Sequence, residues 1–531
     1  EPKGVLGVFS RFLDRTTVRY KRAVASTVRR LPVTVAVYLV LGALIAWMVM
    51  SLPTGFVPEE DKGAFFVDVS LPDGASLQRT EAVVAEVSEL LEADPDVNHV
   101  ISVTGFSLLK GVVSANSALA IAVLNDWSER PDPRQHQNAV AQRLRGQLFA
   151  IPDAMVLAFS PPALPGVGSV SGLDYRLLDQ EGRPPQSLAS TALTVVAEAN
   201  AAPEIAQAFT TFRAAVPLIE VDADRVKIKD QGISLGSVFG TMQAMLGSNY
   251  VNDFNLFGRT YRVMVQADGE FRNEESDIGR LFVPNRDGEM VPLATLIQTR
   301  STLGPETLNR YNLFNAVTIN AMPAPGYSES QAIDAMERIS AATLPDGYSY
   351  EWSGMTYQSL AAGNLAPIIF ALALVFVYLF LVAQYESWLI PAAIILSVPL
   401  ALLGAFAGLM AASLPLNIYG QIGLVLLIGL SAKTAILIVE FAKQLNENED
   451  LSIREAAVEA AGLRFRAVLM TALSFVLGVL PLVLASGAGA ASRVSLGLAV
   501  FAGMLASAIL GTMMVPASFA FIQRLRRRGQ A

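Results

Sequence analysis

The sequence predicts an α-helical membrane protein with six transmembrane helices and one large α+β domain inserted after the first of them. Hydrophobic residues make up 52% of the 531 positions and charged residues only 16%, a balance typical of membrane proteins. Six apolar segments are each long enough to cross a hydrocarbon layer of about 30 Å. Between the first and second segments, residues 55–363 mix polar and apolar positions as a water-exposed domain does. The apolar segments are about Leu31–Leu52, Asn364–Val382, Leu389–Ala411, Ile418–Phe441, Ala467–Ala485 and Val494–Ile522.

Basic residues predict the orientation of these spans. They cluster before the first span, between the fourth and fifth, and after the last: Arg11, Arg15, Arg19, Lys21, Arg22, Arg29, Arg30, Lys443, Arg454, Arg464, Arg466, Arg524, Arg526, Arg527 and Arg528. The connections Ala412–Leu416 and Ser486–Arg493 offer only Arg493. By the positive-inside rule we expect both termini in the cytoplasm and the insertion outside the inner membrane. The net charge of −8 then belongs to the exported domain, which argues against a nucleic-acid partner.

Several kinds of chemistry are missing from the sequence. With no cysteine, neither a disulfide framework nor a thiolate metal site is available. His99 and His136 are the two histidines, too far apart in sequence to suggest a local metal pair. No phosphate-binding P-loop, Gly-x-Ser-x-Gly elbow or His-Glu-x-x-His motif occurs, which disfavours ATP coupling and hydrolysis. The chain opens with Glu1 and nothing near it resembles a cleavable signal peptide, so we interpret it as a piece of a longer polypeptide.

Periodicity predicts two copies of a β-α-β-β-α-β sandwich in the exported domain. The first consists of strands Ala64–Leu71, Val97–Val103, Leu119–Leu124 and Met155–Phe159 with helices Ser76–Leu91 and Gln135–Phe149. The second consists of strands Leu173–Leu178, Ile205–Phe212, Pro217–Val221 and Tyr348–Trp352 with helices Leu188–Ala199 and Ser328–Ile339. Its two parts are separated by Asp222–Arg300, in which a helix near Leu235–Leu246 and a hairpin across Val251–Val265 are expected. The hairpin turns at Asn255–Gly258 and is either a docking element or a decoration.

The segment Gly105–Gly111 joins two predicted strands and carries bulky apolar residues. Phe106 and Leu108 either pack under the sheet or line a pocket between the two sandwiches with Leu157 and Phe159. Clefts between domains are common ligand sites.

Lys433 lies near the middle of the apolar stretch Asn417–Ala442. At 1.5 Å per residue it is about 15 Å from the Lys443 end of the helix, too deep to reach water fully by snorkelling. A lysine at that depth costs about 2.5–3.5 kcal/mol and usually faces a partner or a water path. We interpret it as part of a proton or ion relay, the alternative being a neutral or loosely solvated lysine. Thr471 lies at a comparable depth, and the spans contain no buried acidic residue, so an ionised Lys433 requires a carboxylate from elsewhere.

Motifs along the whole chain resemble the resistance-nodulation-division (RND) exporters, hydrophobe/amphiphile branch. They are residues 429–443, 462–471, Tyr385–Trp388, Thr54–Asp61 and Tyr250–Phe254. The resemblance is to the C-terminal half of such a transporter. It implies a periplasmic insertion of two split βαβ (ferredoxin-like) porter subdomains and a docking subdomain. The implied divisions are a cytoplasmic basic amphipathic segment 1–30, a span 31–53, porter subdomain 1 over 54–165, porter subdomain 2 over 166–221 and 301–363, a docking subdomain 222–300, spans 364–523 and a cytoplasmic tail 524–531.

The resemblance also implies a function and its residues. The activity would be proton/drug antiport of hydrophobic and amphiphilic compounds, with no cofactor besides the coupling proton. The partners would be a second copy in a homotrimer, a periplasmic adaptor, an outer-membrane channel, and the N-terminal half with its aspartate pair. The implied residues are Lys433, Thr471 and Arg464 for the proton relay; Phe66, Phe106, Leu108, Ile121, Leu157, Phe159 and Arg213 for the substrate pocket; and Asn252, Asp253 and Phe254 for the docking hairpin. Leu108, Ile121 and Leu157 stand where the family often has aromatic residues, which predicts a different drug preference.

Two alternatives remain open on the sequence. The same scaffold could export metal ions or lipids, although a methionine cluster suited to metal export is not evident. A membrane-anchored scaffold or secretion accessory without transport activity would leave Lys433 dispensable.

Overall fold

The computed structural model describes residues 5–168, 170–363, 365–448 and 451–528, without the side chains of residues 5–13, 448, 527 and 528. The predicted basic side chains Arg11, Arg527 and Arg528 and the tail residues 529–531 therefore lie outside the described set. The helices are α1 (Val5–Arg29), α2 (Leu31–Ser51), α3 (Leu77–Glu92), α4 (Gln137–Phe149), α5 (Pro185–Ala201), α6 (Arg225–Asp230), α7 (Leu235–Met242), α8 (Glu275–Gly279), α9 (Glu329–Thr343), α10 (Gly354–Gly363), α11 (Ala366–Tyr385), α12 (Ile390–Ile395), α13 (Val398–Ala411), α14 (Ile418–Asn448), α15 (Ile453–Val483), α16 (Ala490–Ala506) and α17 (Thr512–Arg528). The strands are β1 (Ala64–Ser70), β2 (Val97–Ser107), β3 (Val112–Leu124), β4 (Met155–Phe159), β5 (Leu173–Asp179), β6 (Ile205–Phe209), β7 (Val216–Ala223), β8 (Asn249–Leu256), β9 (Arg259–Val265), β10 (Phe282–Pro284), β11 (Met290–Pro292), β12 (Ile297–Gly304), β13 (Asn309–Tyr311), β14 (Phe314–Pro323) and β15 (Tyr348–Trp352).

The chain forms two compact units. One contains residues 1–182, 191–211 and 310–531, and the other contains residues 183–190 and 212–309. The larger unit holds the apolar helices and the strands of both sandwiches. The smaller unit holds β7 to β12 and the exposed hairpin.

The first sandwich is an antiparallel sheet in the order β2-β3-β1-β4, with α3 and α4 on one face. Alternation along β1 buries Phe65, Val67 and Val69 against those helices, as expected for a strand covered on one side. β2 and β3 are longer than the strands predicted from the sequence, because the residues expected to form a loop pair with one another, up to Ser107 opposite Val112. Only a tight turn remains after Ser107.

The second sandwich has a five-stranded sheet, in which β6-β14-β5-β15 repeat the strand order of the first and β13 also pairs with β14. The prediction that Pro217–Val221 supplies one of its strands is wrong. That segment belongs to β7, which pairs with β12 in the smaller unit, and the missing strand is β14. Both segments carry alternating apolar residues, so strand period could not decide which one joins β5.

The smaller unit has its own apolar core, which includes Ile228, Val238, Val283 and Leu293. β8 and β9 form the predicted hairpin, and its turn residues Phe257 and Gly258 have φ of +51° and +72°. Positive φ at both central positions is the geometry of a type I′ turn, which suits the twist of two-residue hairpins.

Within the described ranges, six helical segments are long and apolar enough to cross a membrane, as predicted. Asn364, the predicted start of the second span, lies outside the described residues. The fifth span is part of a much longer helix, because Ser452 and Glu455 form a capping box that starts α15 well before its apolar part. Hydropathy detected only that apolar part.

Small residues set the contact between α13 and α16. A Cβ added at Gly404 would lie 2.5 Å from the carbonyl oxygen of Ala502, and one at Gly408 would lie 2.5 Å from the Ala502 Cβ. Glycines four residues apart let two helix backbones approach closely, which is the main source of helix association in lipid.

We predict that Gly404→Val lowers the thermal stability of the detergent-solubilised protein, because the new side chain forces α13 away from α16. Overpacking of this kind costs about 1–3 kcal/mol. Gly42→Val in α2 is the matched control, since a Cβ there meets nothing within 4 Å. Equal melting temperatures for the two variants would contradict the close contact.

Candidate functional site

Two cations lie on the seam between α14 and α15, each against an aromatic ring of the other helix. Lys433 Nζ lies 5.1 Å from the ring centroid of Phe475, and the Arg464 guanidinium carbon lies 4.0 Å from the ring centroid of Phe441. The helices run antiparallel, so the two contacts form successive rungs along one seam. Cation–π contacts of this kind stabilise a charge by about 0.5–2 kcal/mol, less than the cost of burying it.

The Lys433 side chain is exposed, and no ion pair or hydrogen bond to its ammonium occurs within the described residues. Space is therefore available beside the amine for an incoming group. Arg464 is half-buried, and its Nε has no hydrogen-bond partner in the described part of the chain. Both cations are left with unused donors.

Thr471 is on the same stripe of α15 as Arg464 and Phe475, since spacings of seven and four residues return to one helix face. Its hydroxyl donates to the carbonyl oxygens of Ala467 at 3.1 Å and Val468 at 2.9 Å. The structure therefore does not bring Thr471 into hydrogen-bond contact with Lys433. It places Thr471 beside the seam, where its hydroxyl oxygen can still accept a hydrogen bond from another group.

Four of the predicted pocket residues share one face of the first sheet, opposite α3 and α4. Phe66 pairs in register with Ile121 on β3 and with Phe159 on β4, and Leu157 lies two residues before Phe159. The Phe66 and Phe159 rings meet edge to face with centroids 5.9 Å apart. This sheet face is suited to bind apolar compounds, although Phe159 itself is buried.

Phe106 is near the end of β2, paired with Val113, and Leu108 is in the turn that follows; both are half-buried. Between them, Ser107 is fully buried and its hydroxyl donates to Asp68 Oδ1 at 2.8 Å. The connection is thus tied to the centre of the sheet by a buried carboxylate that the sequence analysis did not single out. In the sequence, Asp68 occupies a polar position of an alternating strand, where a residue exposed to solvent is expected.

Arg213 and the docking hairpin belong to the smaller compact unit, whereas the other predicted pocket residues belong to the larger one. Arg213 is half-buried, and its carbonyl oxygen accepts from the Glu306 amide at 3.4 Å. Every residue of the hairpin, including Asn252, Asp253 and Phe254, is exposed. Phe254 stacks on Tyr261 across the strands with centroids 5.4 Å apart.

Three consecutive carboxylates after the first span accept hydrogen bonds from segments far along the chain. Glu59 accepts from the Asn138 side chain at 2.9 Å and from the Ser171 hydroxyl at 2.8 Å. Glu60 accepts from the amides of Ala491 at 3.1 Å and Ser492 at 2.9 Å, at the start of α16. A carboxylate there satisfies free amides and complements the helix dipole.

The third carboxylate, Asp61, fixes the first sandwich to the same segment. It accepts from Arg130 Nη1 at 3.1 Å and from the Gln137 amide at 3.1 Å, at the start of α4. Burial would raise the pKa of Asp61, but hydrogen bonds from Arg130 and from the Gly63 and Gln137 amides outweigh it and hold the pKa below its usual value. We call residues 59–61 the acidic junction, because it joins the sandwich to α16. Sequence reasoning identified the motif but not these contacts, since the partners are distant along the chain.

Comparison with known proteins identifies the family, because residues 1–523 match the AcrB/AcrD/AcrF family. The chain belongs to that family of RND transporters. It is 37% identical to the multidrug/solvent efflux pump membrane transporter MepB of Pseudomonas putida over 98% of the chain and 49% of the relative. It is 35% identical to the toluene efflux pump membrane transporter TtgE of Pseudomonas putida over 100% of the chain and 51% of the relative. It is 34% identical to the multidrug export protein AcrF of Escherichia coli over 98% of the chain and 50% of the relative. The chain thus spans about half the length of the curated relatives it matches.

We predict that Asp61→Asn destabilises the region around Trp127, whose indole N–H donates to Asp61 Oδ1 at 3.2 Å. Because the native pKa of Asp61 is lowered, the ionised carboxylate contributes stability above its unfolded pKa near 3.9, and that contribution disappears as the pH falls through the lower native value. The difference between wild type and variant should be about 1–3 kcal/mol at pH 7 and vanish in acid.

Urea unfolding followed by tryptophan fluorescence at several pH values measures this difference. Asp153→Asn is the control, since the Asp153 side chain is 63% exposed. A difference that persists unchanged below pH 3 would contradict the assignment.

Proposed function

We propose that the chain is the C-terminal half of an inner-membrane proton/drug antiporter in a tripartite efflux pump. The observation that carries the proposal is Lys433, an exposed cation in the middle of an apolar helix with no acidic partner among the described residues. Membership in the RND family and the half-length match to efflux transporters support it. A half-length chain of this family would obtain the acidic partner of Lys433 from the other half of the transporter.

The N-terminal half would supply the aspartate pair that faces Lys433. With the pair ionised, Lys433 forms ion pairs with it; when a proton arrives, the attraction weakens and the helices shift. A difference of one pH unit contributes about 1.4 kcal/mol per proton and 100 mV adds about 2.3 kcal/mol per charge moved. Thr471 would orient the proton path from beside the seam, and Arg464 would belong to the relay at the entrance to the fifth span.

The exported region would be periplasmic, with both termini cytoplasmic. The two sandwiches would form two porter subdomains and the smaller unit a docking subdomain. Hydrophobic and amphiphilic compounds would bind the sheet face of Phe66, Ile121, Leu157 and Phe159, with Phe106 and Leu108 gating access. The apolar character of this face supports such substrates, as do relatives named for solvents and toluene.

The exposed hairpin supports a homotrimer that meets an adaptor and an outer-membrane channel. A lone two-stranded hairpin is marginal in water, and this one exposes Phe254 and Phe257 at 47% and 88%. Such a hairpin is expected to gain stability by packing against a partner, most directly a second copy of the chain.

Movement of the spans would reach the porter through the acidic junction. Glu60 binds the start of α16, and Asp61 binds the start of α4 one residue later. The intervening chain is too short to absorb a displacement of one helix without moving the other.

We predict that Lys433→Ala, in the complete transporter, abolishes drug export and leaves expression and trimer formation intact. The cells should accumulate at least ten-fold more ethidium than cells with the wild-type transporter, in a host that lacks other efflux pumps. Lys443→Ala, ten residues later on α14, is the matched control and should export normally. Unchanged ethidium accumulation in Lys433→Ala would instead favour a scaffold without transport activity.

We predict that Glu60→Ala uncouples export from the proton relay, because α16 loses its link to the porter. In proteoliposomes, drug export should fall at least five-fold while proton uptake stays within two-fold of wild type. Glu86→Ala, at an exposed position of α3, controls for loss of a charge. Equal losses of export and proton uptake would make Glu60 a residue needed for folding only.

A further inference from the structure

A cavity of about 790 Å³ lies where the last strand of the second sandwich leads into the second span. β15 ends at Trp352, α10 begins two residues later, and α11, which carries the apolar part of the span, begins at Ala366. The walls of the cavity therefore combine aromatic rings, a carboxylate and apolar residues of α10. They include Tyr311, Glu351, Trp352, Tyr357, Leu360 and Ala361.

Glu351 is the charged group of this cavity. The Asn312 side-chain amide donates to Glu351 Oε2 at 2.7 Å, which fixes the carboxylate. Arg176 lies opposite Glu351 in register on β5, but its Nε pairs with Asp174 Oδ1 at 3.1 Å and donates to Ser353 Oγ at 2.9 Å. Glu351 makes no ion pair with another described residue. The two carboxylates and the guanidinium sum to −1, so the cavity attracts a cation.

The aromatic rings favour an organic ammonium group. Faces of tryptophan and tyrosine rings attract such cations, and alkylated ammonium ligands are commonly bound this way. The Trp352 indole N–H donates to Glu337 Oε1 at 3.1 Å, which fixes that ring. Tyr357 is 57% exposed, so its ring is accessible to a ligand. A metal ion fits less well, since the described residues contain no cluster of three acidic or histidine side chains.

An exposed apolar stripe begins next to the cavity and follows the second span. Leu365, Ile368, Ile369 and Leu372 are 50–56% exposed. Their spacing of three to four residues places them on one helix face, and the stripe begins four residues after Ala361. A molecule with its ammonium group in the cavity would therefore lay an apolar chain along this face of α11.

We propose that the cavity binds the ammonium headgroup of a membrane phospholipid whose acyl chains lie along the start of α11. Glu351 pairs with the ammonium group, and the Tyr357 ring covers it. Leu365 and Ile368 contact the acyl chains. A free headgroup would fill the cavity but leave this stripe uncovered, so the lipid is the better fit. The lipid is a bound component of the protein and not a transported compound.

Native mass spectrometry of the purified full-length protein tests the proposal, because it counts the lipids that stay bound. The protein is exchanged into detergent with equal amounts of phosphatidylethanolamine and phosphatidylglycerol that carry identical chains. Glu351→Gln should lose one phosphatidylethanolamine per chain and keep its phosphatidylglycerol. Asp334→Asn, at an exposed position of α9, is the matched control and should keep both. Equal phosphatidylethanolamine counts for wild type and Glu351→Gln would overturn the proposal.

Two uncharged positions separate binding in the cavity from a general effect of charge. Tyr357→Ala should lose the same lipid, whereas Tyr357→Phe keeps the ring and should retain it. Ala361→Trp should also lose the lipid, because the new side chain fills the cavity. Retention of the lipid in both Tyr357→Ala and Ala361→Trp would contradict the assignment to this cavity.

Soluble phosphoethanolamine, which has the headgroup without the chains, tests the contribution of the apolar stripe. In about ten-fold excess it should displace less than half of the bound lipid. Displacement of half or more would show that the cavity holds a free headgroup, and would overturn the assignment of a lipid. These measurements require no transport, so their failure is distinct from a failure of the proposed antiport.

Discussion

Lys433, a cation at bilayer depth with no acidic partner among the described residues, is the constraint on which the membrane part of this protein depends. Lys433 and Arg464 face aromatic rings across the α14–α15 seam, and those rings repay only part of the cost of a charge in lipid. In the proposed transporter, a carboxylate on another segment compensates the remainder.

Hydrogen bonds to the acidic junction link the first sandwich to the start of α16. Glu60 binds the start of α16, and Asp61 binds the start of α4. Such charge-assisted hydrogen bonds are shorter and stronger than neutral ones. Asp68 uses the same chemistry on a smaller scale, holding one turn against one sheet.

Sequence patterns predicted the six apolar spans, because hydropathy over some twenty residues is a strong signal. They predicted the elements of the first sandwich nearly completely, since those elements follow one another along the chain. The second sandwich was harder: β14 follows a long insertion, and β7 offered an equally regular strand in its place. The predicted pocket residues came from the resemblance to the family, and their role stays a prediction. Asp68, Phe475 and the partners of Glu60 were not predicted, because their roles depend on contacts between residues far apart in sequence.

The length of α15 has a consequence for how this protein can vary. Its 31 residues extend about 46 Å, more than the hydrocarbon layer requires, and the surplus end is clasped by α1. Tyr20 stacks on Phe465 with centroids 4.3 Å apart, and Lys21 Nζ reaches Glu459 at 2.9 Å. The aliphatic part of Lys21 fills the notch at Gly462, where an added Cβ would approach its Cδ to 2.7 Å. Substitutions at these two positions are therefore coupled: a side chain at position 462 displaces that of Lys21, and with it the contact to Glu459.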